Sequence, residues 1–254
     1  MADIEVQYKN ATIKQQTGSG TVTLHTEGKY MEDDVDIVYT APGGGGSKVL
    51  NVTTGTNIAT TLCGTYDVDE INVTAGSAAA AKKISMFRCY GFVGAPTKFK
   101  YSGFAYDSAT LTDYFRASVS KTSEVDFGNV QLPPTLSRFF YDIENTADLT
   151  TYIKGLDWTN VTSMSGVFQG GKTYATYLAN NRYLDVEWLG TVNCASFNIC
   201  PNTTWEVPFT HRSLVELMNA LGTGGGSCKI GTNNLATLSA AEQAIATAKG
   251  WTLS

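Results

Sequence analysis

Charge is scarce in this chain. Of its 254 residues, 16% are Asp, Glu, Lys or Arg, against about a quarter in an ordinary soluble domain. The net charge is -5, and no basic cluster occurs. Neutralising phosphates takes Lys and Arg gathered on one face, so nucleic acid is not expected as a partner. Long apolar runs are missing as well. None approaches the roughly 18 residues that span a bilayer, so no membrane partner is expected. The opening Met1-Ala2-Asp3-Ile4-Glu5-Val6 has neither a basic start nor an apolar stretch. It predicts no secretory leader, and a protein made in the cytoplasm of its host cell. Histidine is limited to His25 and His211, and the five cysteines (Cys63, Cys89, Cys194, Cys200 and Cys228) include no C-x-x-C pair. Free, mostly buried thiols are expected in place of disulfides or a zinc site. No cofactor is anticipated.

What fills the gap is Thr, Ser, Asn and Gly, beside a 43% hydrophobic content sufficient for a folded core. Two joints divide the chain. Gly43-Gly44-Gly45-Gly46-Ser47 after Pro42 reads as a flexible linker, and residues 77–83, Ser-Ala-Ala-Ala-Ala-Lys-Lys, as a second joint. The segments before these joints, 1–42 and 48–76, resemble each other. In the first, Thr21 to Leu24 and Val35 to Tyr39 flank Gly28-Lys29-Tyr30. In the second, Asn57 to Thr60 and Glu70 to Thr74 flank Gly64-Thr65-Tyr66. Alternating apolar and polar residues on both arms predict two small β-hairpin modules. A lone hairpin cannot bury a core, which predicts self-association, with a homotrimer as the common solution.

Residues 84–254 show a longer period. Val125-Asp126-Phe127-Gly128-Asn129-Val130, Leu156-Asp157-Trp158-Thr159-Asn160-Val161 and Val186-Glu187-Trp188-Leu189 place an aromatic about every 30 residues. Segments with helical or irregular character precede them, at 111–115, 149–153 and 174–178. A strand plus a return segment at fixed period predicts a short solenoid, each unit burying its apolar face on the next. The end of the chain predicts a helical cap. Leu214, Val215, Leu217, Met218 and Leu221 form one stripe stopped by Gly222, and Ser239 with Glu242 makes a capping box for a second helix that ends at Gly250. The expected fold class is therefore α+β and β-rich.

The run from Leu156 to Phe168, with Trp158, Val161-Thr162, Met164 and Phe168, resembles the BspA-type leucine-rich repeat of bacterial surface and prophage proteins. Val167 stands where that pattern carries Met, and the spacing from Trp158 to Val161 is shorter. The closing segment, from Arg212-Ser213-Leu214 to Trp251-Thr252-Leu253, is similar to the end of such proteins in phages of Gram-positive gut bacteria. Thr21 to Tyr30 with Asp33-Asp34-Val35, and Gly64 to Val68, resemble the start of virion fibre-like proteins in those phages. The resemblance implies a leucine-rich-repeat-like solenoid carried by an N-terminal anchor on a phage virion, without catalytic residues.

Several patterns compete with that reading. Gly166 to Thr173 satisfies G-x-x-x-x-G-K-[ST], the phosphate-binding loop. The polar Thr-Asn-Val-Thr-Ser-Met-Ser before it is unlike the buried strand such a loop needs, and a place for Gly166 in the repeat is the simpler account. Asp126, Asp157 and Asp185 recur at the repeat period, as repeat features or as a row on one solenoid face that helps bind a ligand or cation. The aromatic-rich stretch from Phe87 to Tyr106 and the periodic tryptophans are the better functional lead, since outward Tyr and Trp favour sugar stacking and protein interfaces. The candidate ligand or interface residues are Tyr101, Tyr106, Trp158, Trp188, Asp157 and Asp185.

The expected function is a non-catalytic virion protein, a head or tail fibre or decoration protein. It would assemble as a homotrimer, attach to other virion proteins through residues 1–42 and touch a host cell-surface glycan or protein. The alternative is a bacterial cell-surface leucine-rich-repeat adhesin. A polysaccharide-degrading spike is a third reading and would need clustered carboxylates on one face.

Overall fold

Strands of alternating burial in the C-terminal half are hydrogen-bonded side by side in parallel, and they set the frame for everything else. The structure, a computed structural model, describes residues 2–8, 11–17, 21–26, 35–40, 49–54, 64–65, 69–75, 92–93, 98–103, 110–112, 123–140, 150–170, 172–200 and 206–254.

At the N-terminus β1 (Ala2–Tyr8) and β2 (Ala11–Thr17) pair antiparallel as a sheet of their own. Next come β3 (Thr21–Thr26) and β4 (Val35–Thr40), the hairpin that the sequence predicts, with Leu24 opposite Ile37. β5 (Val49–Thr54) adds antiparallel to β4, so the strands on either side of the Gly-rich linker are direct neighbours. The linker itself lies outside the described residues.

The second module departs from expectation. Its Glu70–Ala75 strand, β7, pairs parallel with β5, which takes the place expected of Asn57 to Thr60. Those four residues lie outside the described set. β6 (Gly64–Thr65) pairs instead with β8 (Phe92–Val93), again in parallel. On its other side β7 pairs with β9 (Lys98–Ser102), so the strands flanking the 77–83 joint also share one sheet.

From here the chain alternates between two parallel sheets. β11 (Glu124–Gln131), β13 (Thr150–Asp157) and β15 (Tyr183–Val186) extend the first sheet beyond β9. β10 (Thr110–Thr112), β12 (Thr135–Ser137), β14 (Ser163–Ser165), β16 (Ser196–Asn198), β17 (Gly226–Lys229) and β18 (Trp251–Leu253) form the second. Register is set by one buried position per strand. In the first sheet Phe99, Val125, Ile153 and Val186 are successive partners, at steps of 26, 28 and 33 residues. In the second, Leu136, Met164, Phe197 and Cys228 do the same. Both rows belong to one hydrophobic cluster. The fold is thus mixed α/β, dominated by parallel strands with few helices.

Of the segment expected as a return at 149–153, residues 150–153 are strand, because Thr150-Thr151-Tyr152-Ile153 is a β-branched and aromatic run. Residues 174–178 are helical as expected, as α1 (Tyr174–Leu178).

Three further helices serve the C-terminal end: α2 (His211–Ala220), α3 (Thr232–Ala236) and α4 (Ala240–Thr247). The stripe on α2 buries Leu214, Leu217 and Met218, and the Ser239–Glu242 capping box opens α4 as predicted. The edge of β15 is closed from two directions. Leu184 exchanges backbone hydrogen bonds with Pro208 and Thr210. Ser213 of α2 accepts from the Val186 N–H at 3.1 Å and donates to the Val186 carbonyl at 3.0 Å. A helix hydroxyl therefore occupies the place of a further strand, the remedy an edge requires. The second sheet continues past this point through β17 and β18, so the helices complete the first sheet only.

Lys249 locks this end together. Its Nζ donates to the carbonyls of Met218 (3.0 Å), Asn219 (2.7 Å) and Leu221 (2.7 Å), the unpaired acceptors at the C-terminus of α2. Lys249→Met is expected to lower stability by about 1–2 kcal/mol, since charge-assisted bonds to helix-end carbonyls are lost while the alkyl packing stays. Urea unfolding of the two proteins side by side measures it, and equal midpoints would refute the role.

Candidate binding face

Alternation of burial gives each sheet an inner and an outer face, and the two outer faces differ in chemistry. On the first sheet, register aligns Glu70, Lys98, Glu124, Tyr152 and Asp185 in one outer row, and Asn72, Lys100, Asp126 and Lys154 in the next. Opposite charges meet across strands. Lys100 reaches Glu70 at 3.1 Å, and Lys154 reaches Glu124 at 2.8 Å and Asp126 at 3.3 Å. Lys98 stands 4.0 Å from Glu124. The Glu124 hydrogen bond holds the Lys154 ammonium above the usual lysine range. At the far end Arg212 pairs with Asp185 at 2.8 Å and with Glu216, and its guanidinium lies 5.3 Å from the centre of the Tyr152 ring. Asp185, chiefly through its hydrogen bond, raises the Arg212 pKa. Each exposed pair adds little stability. Together, however, they pair the charged side chains of this face with one another.

The second sheet carries almost no charge outside. Its outer positions are Thr135, Ser163, Ser196, Ser227 and Thr252 in one row and Ser137, Ser165, Asn198 and Lys229 in the other. Ser163, Ser165, Ser196, Thr252 and Lys229 are exposed, and the rest are half-buried. Neighbours within a row are about 4.8 Å apart, and the two rows are about 6.6 Å apart. Among the described residues, none of the seven hydroxyls has a side-chain hydrogen-bond partner. The Asn198 Oδ1, itself shielded from solvent, is likewise unpaired. The result is a regular two-row array of short polar groups whose bonding capacity the fold leaves unused.

The predicted site residues fall elsewhere. Tyr101, Trp158 and Trp188 are core residues, with 2%, 0% and 7% of their surface accessible, so they cannot stack on an external ligand. Tyr101 stacks on Phe127 at 5.2 Å, and Trp158 lies 4.8 Å from Trp188. The periodic aromatics form the spine of the core because each sits where the chain passes from the first sheet toward the second. Tyr106 lies outside the described residues.

The aspartates do not form a row either. Asp126 pairs with Lys154, Asp185 with Tyr152, and Asp157 with Gln131 and Leu189. Asp157 accepts from the Thr159 N–H at 2.9 Å, a turn bond that fixes the chain beyond β13. Asp185 accepts from Thr210, the N-cap of α2. Both carboxylates thus accept hydrogen bonds that fix local backbone. The phosphate-loop match dissolves in the same way. Val167 and Phe168 are fully buried, and the Phe168 and Gln169 N–H groups donate to Ile199 and Gly166. Gly166, at φ 57°, occupies the turn position after β14 that Arg138, at φ 49°, occupies after β12.

The described thiols are interior. Cys194, Cys200 and Cys228 are free and buried, and burial pushes the latter two up to about 12. All three are expected to stay unmodified by iodoacetamide at pH 8 in the native protein and to react on unfolding, because the thiolate is the nucleophile. Peptide mapping checks this. Rapid native labelling of Cys200 or Cys228 would contradict the packing.

Among the described residues no group of three or more His, Cys, Asp or Glu converges as a metal cluster would, and no helix is long and apolar enough to cross a membrane. The geometry defines a class only: a parallel-strand α/β protein with one self-paired charged face and one unpaired hydroxyl face. Comparison with protein-family models, curated proteins and solved structures found no match to any of them.

Proposed function

We propose that this chain is a non-catalytic structural protein of a phage virion, a head or tail fibre or decoration protein. Its C-terminal region acts as a leucine-rich-repeat-like solenoid displayed for host-surface binding. The observation that carries the reading is the alternation of strands between two sheets from β9 to β16, with buried register partners 28 to 33 residues apart from Leu136 to Cys228. Stacked units of this kind bury a continuous core while presenting long regular faces, which suits display better than chemistry. The likeness of residues 156–168 to BspA-type repeats, and of residues 21–35 to fibre-like N-termini, favours a virion over a bacterial adhesin, the second reading.

Residues 1–42, with strands β1 to β4, serve as the anchor region. A two-stranded sheet such as β1–β2 is marginal alone, which supports completion by neighbouring copies as a homotrimer and by other virion proteins. Sedimentation equilibrium of the full chain tests this, with a trimer expected and a monomer at micromolar concentration opposing it. Incubation with host-surface polysaccharide tests the non-catalytic half. No release of reducing ends is expected, and sustained release would establish a hydrolase instead.

A further inference from the structure

We draw no further inference here: the strongest candidate, the surface patch that the exposed Ala240, Ala241 and Ala244 of α4 form beside β18 at the end of the second sheet, carries only small side chains, and nothing in the structure shows what covers it.

Discussion

Replacing Glu206 with alanine lowers stability by about 2–4 kcal/mol, the cost of losing several hydrogen bonds to a buried carboxyl group and orphaning a buried N–H. Glu206 is fully buried, and its carboxylate caps α3. It accepts from the Asn234 N–H at 2.6 Å and from the Asn233 N–H and side-chain amide at 3.2 and 2.8 Å. Removing it leaves the Asn234 N–H buried without an acceptor, and the Asn234 side chain bonds the Val207 and Ile230 carbonyls and the Phe209 N–H. The loss therefore spreads to the segment that closes the edge of β15. Glu206→Gln keeps one acceptor oxygen but turns an amide N–H toward a donor, so about half of that loss is expected. Gly231 packs against the carboxyl group so closely that a Cβ there would overlap it. Urea unfolding followed by far-ultraviolet circular dichroism measures all three proteins. A Glu206→Ala midpoint within error of the parent would show that the network is not formed.

Trp158 and Trp188 are expected to respond unequally to the same change. The Trp188 indole donates to the Ser213 carbonyl at 3.0 Å and to its hydroxyl at 3.2 Å. Trp188→Phe therefore shrinks a core ring and also orphans an acceptor in α2, a loss of about 2–3 kcal/mol. The Trp158 Nε1, equally buried, has no hydrogen-bond partner. Trp158→Phe removes that unsatisfied donor, and the gain of about 1–3 kcal/mol offsets most of the packing loss. Unfolding midpoints of the two single variants test the pair. If Trp158→Phe costs as much as Trp188→Phe, an internal acceptor must be serving the Trp158 indole.

Some of this fold is legible in the amino-acid order, for identifiable reasons. Alternation over 21–40 dictates the β3–β4 hairpin because period two leaves each strand one apolar face. The α2 stripe and the Ser239–Glu242 capping box are local signals, and both helices form where those signals stand. The recurring Phe127, Trp158 and Trp188 fall in β11 and just after β13 and β15, successive strands of the first sheet. Their orientation is a different matter, since a period fixes which residues are equivalent and not which side they face. They fill the core, and the outer positions are taken by residues that carry no signal on their own. Each second-sheet strand is short, with one apolar residue between polar ones, as in Ser163-Met164-Ser165. Three residues give no periodicity to detect, and only stacking the strands in register reveals the hydroxyl rows. Glu206 and Lys249 were hidden for a related reason. Both act on helix ends that the chain reaches only after folding, about 30 residues away in sequence for Lys249 and α2.

The central claim, a displayed structural protein of a virion, is tested most directly by peptide mass spectrometry on density-purified phage particles, with copy number taken against the major capsid protein. Stoichiometric recovery is predicted, a few copies marking a tail position and hundreds a capsid decoration. Absence from particles, with recovery in the bacterial cell-wall fraction, would contradict it and favour the adhesin.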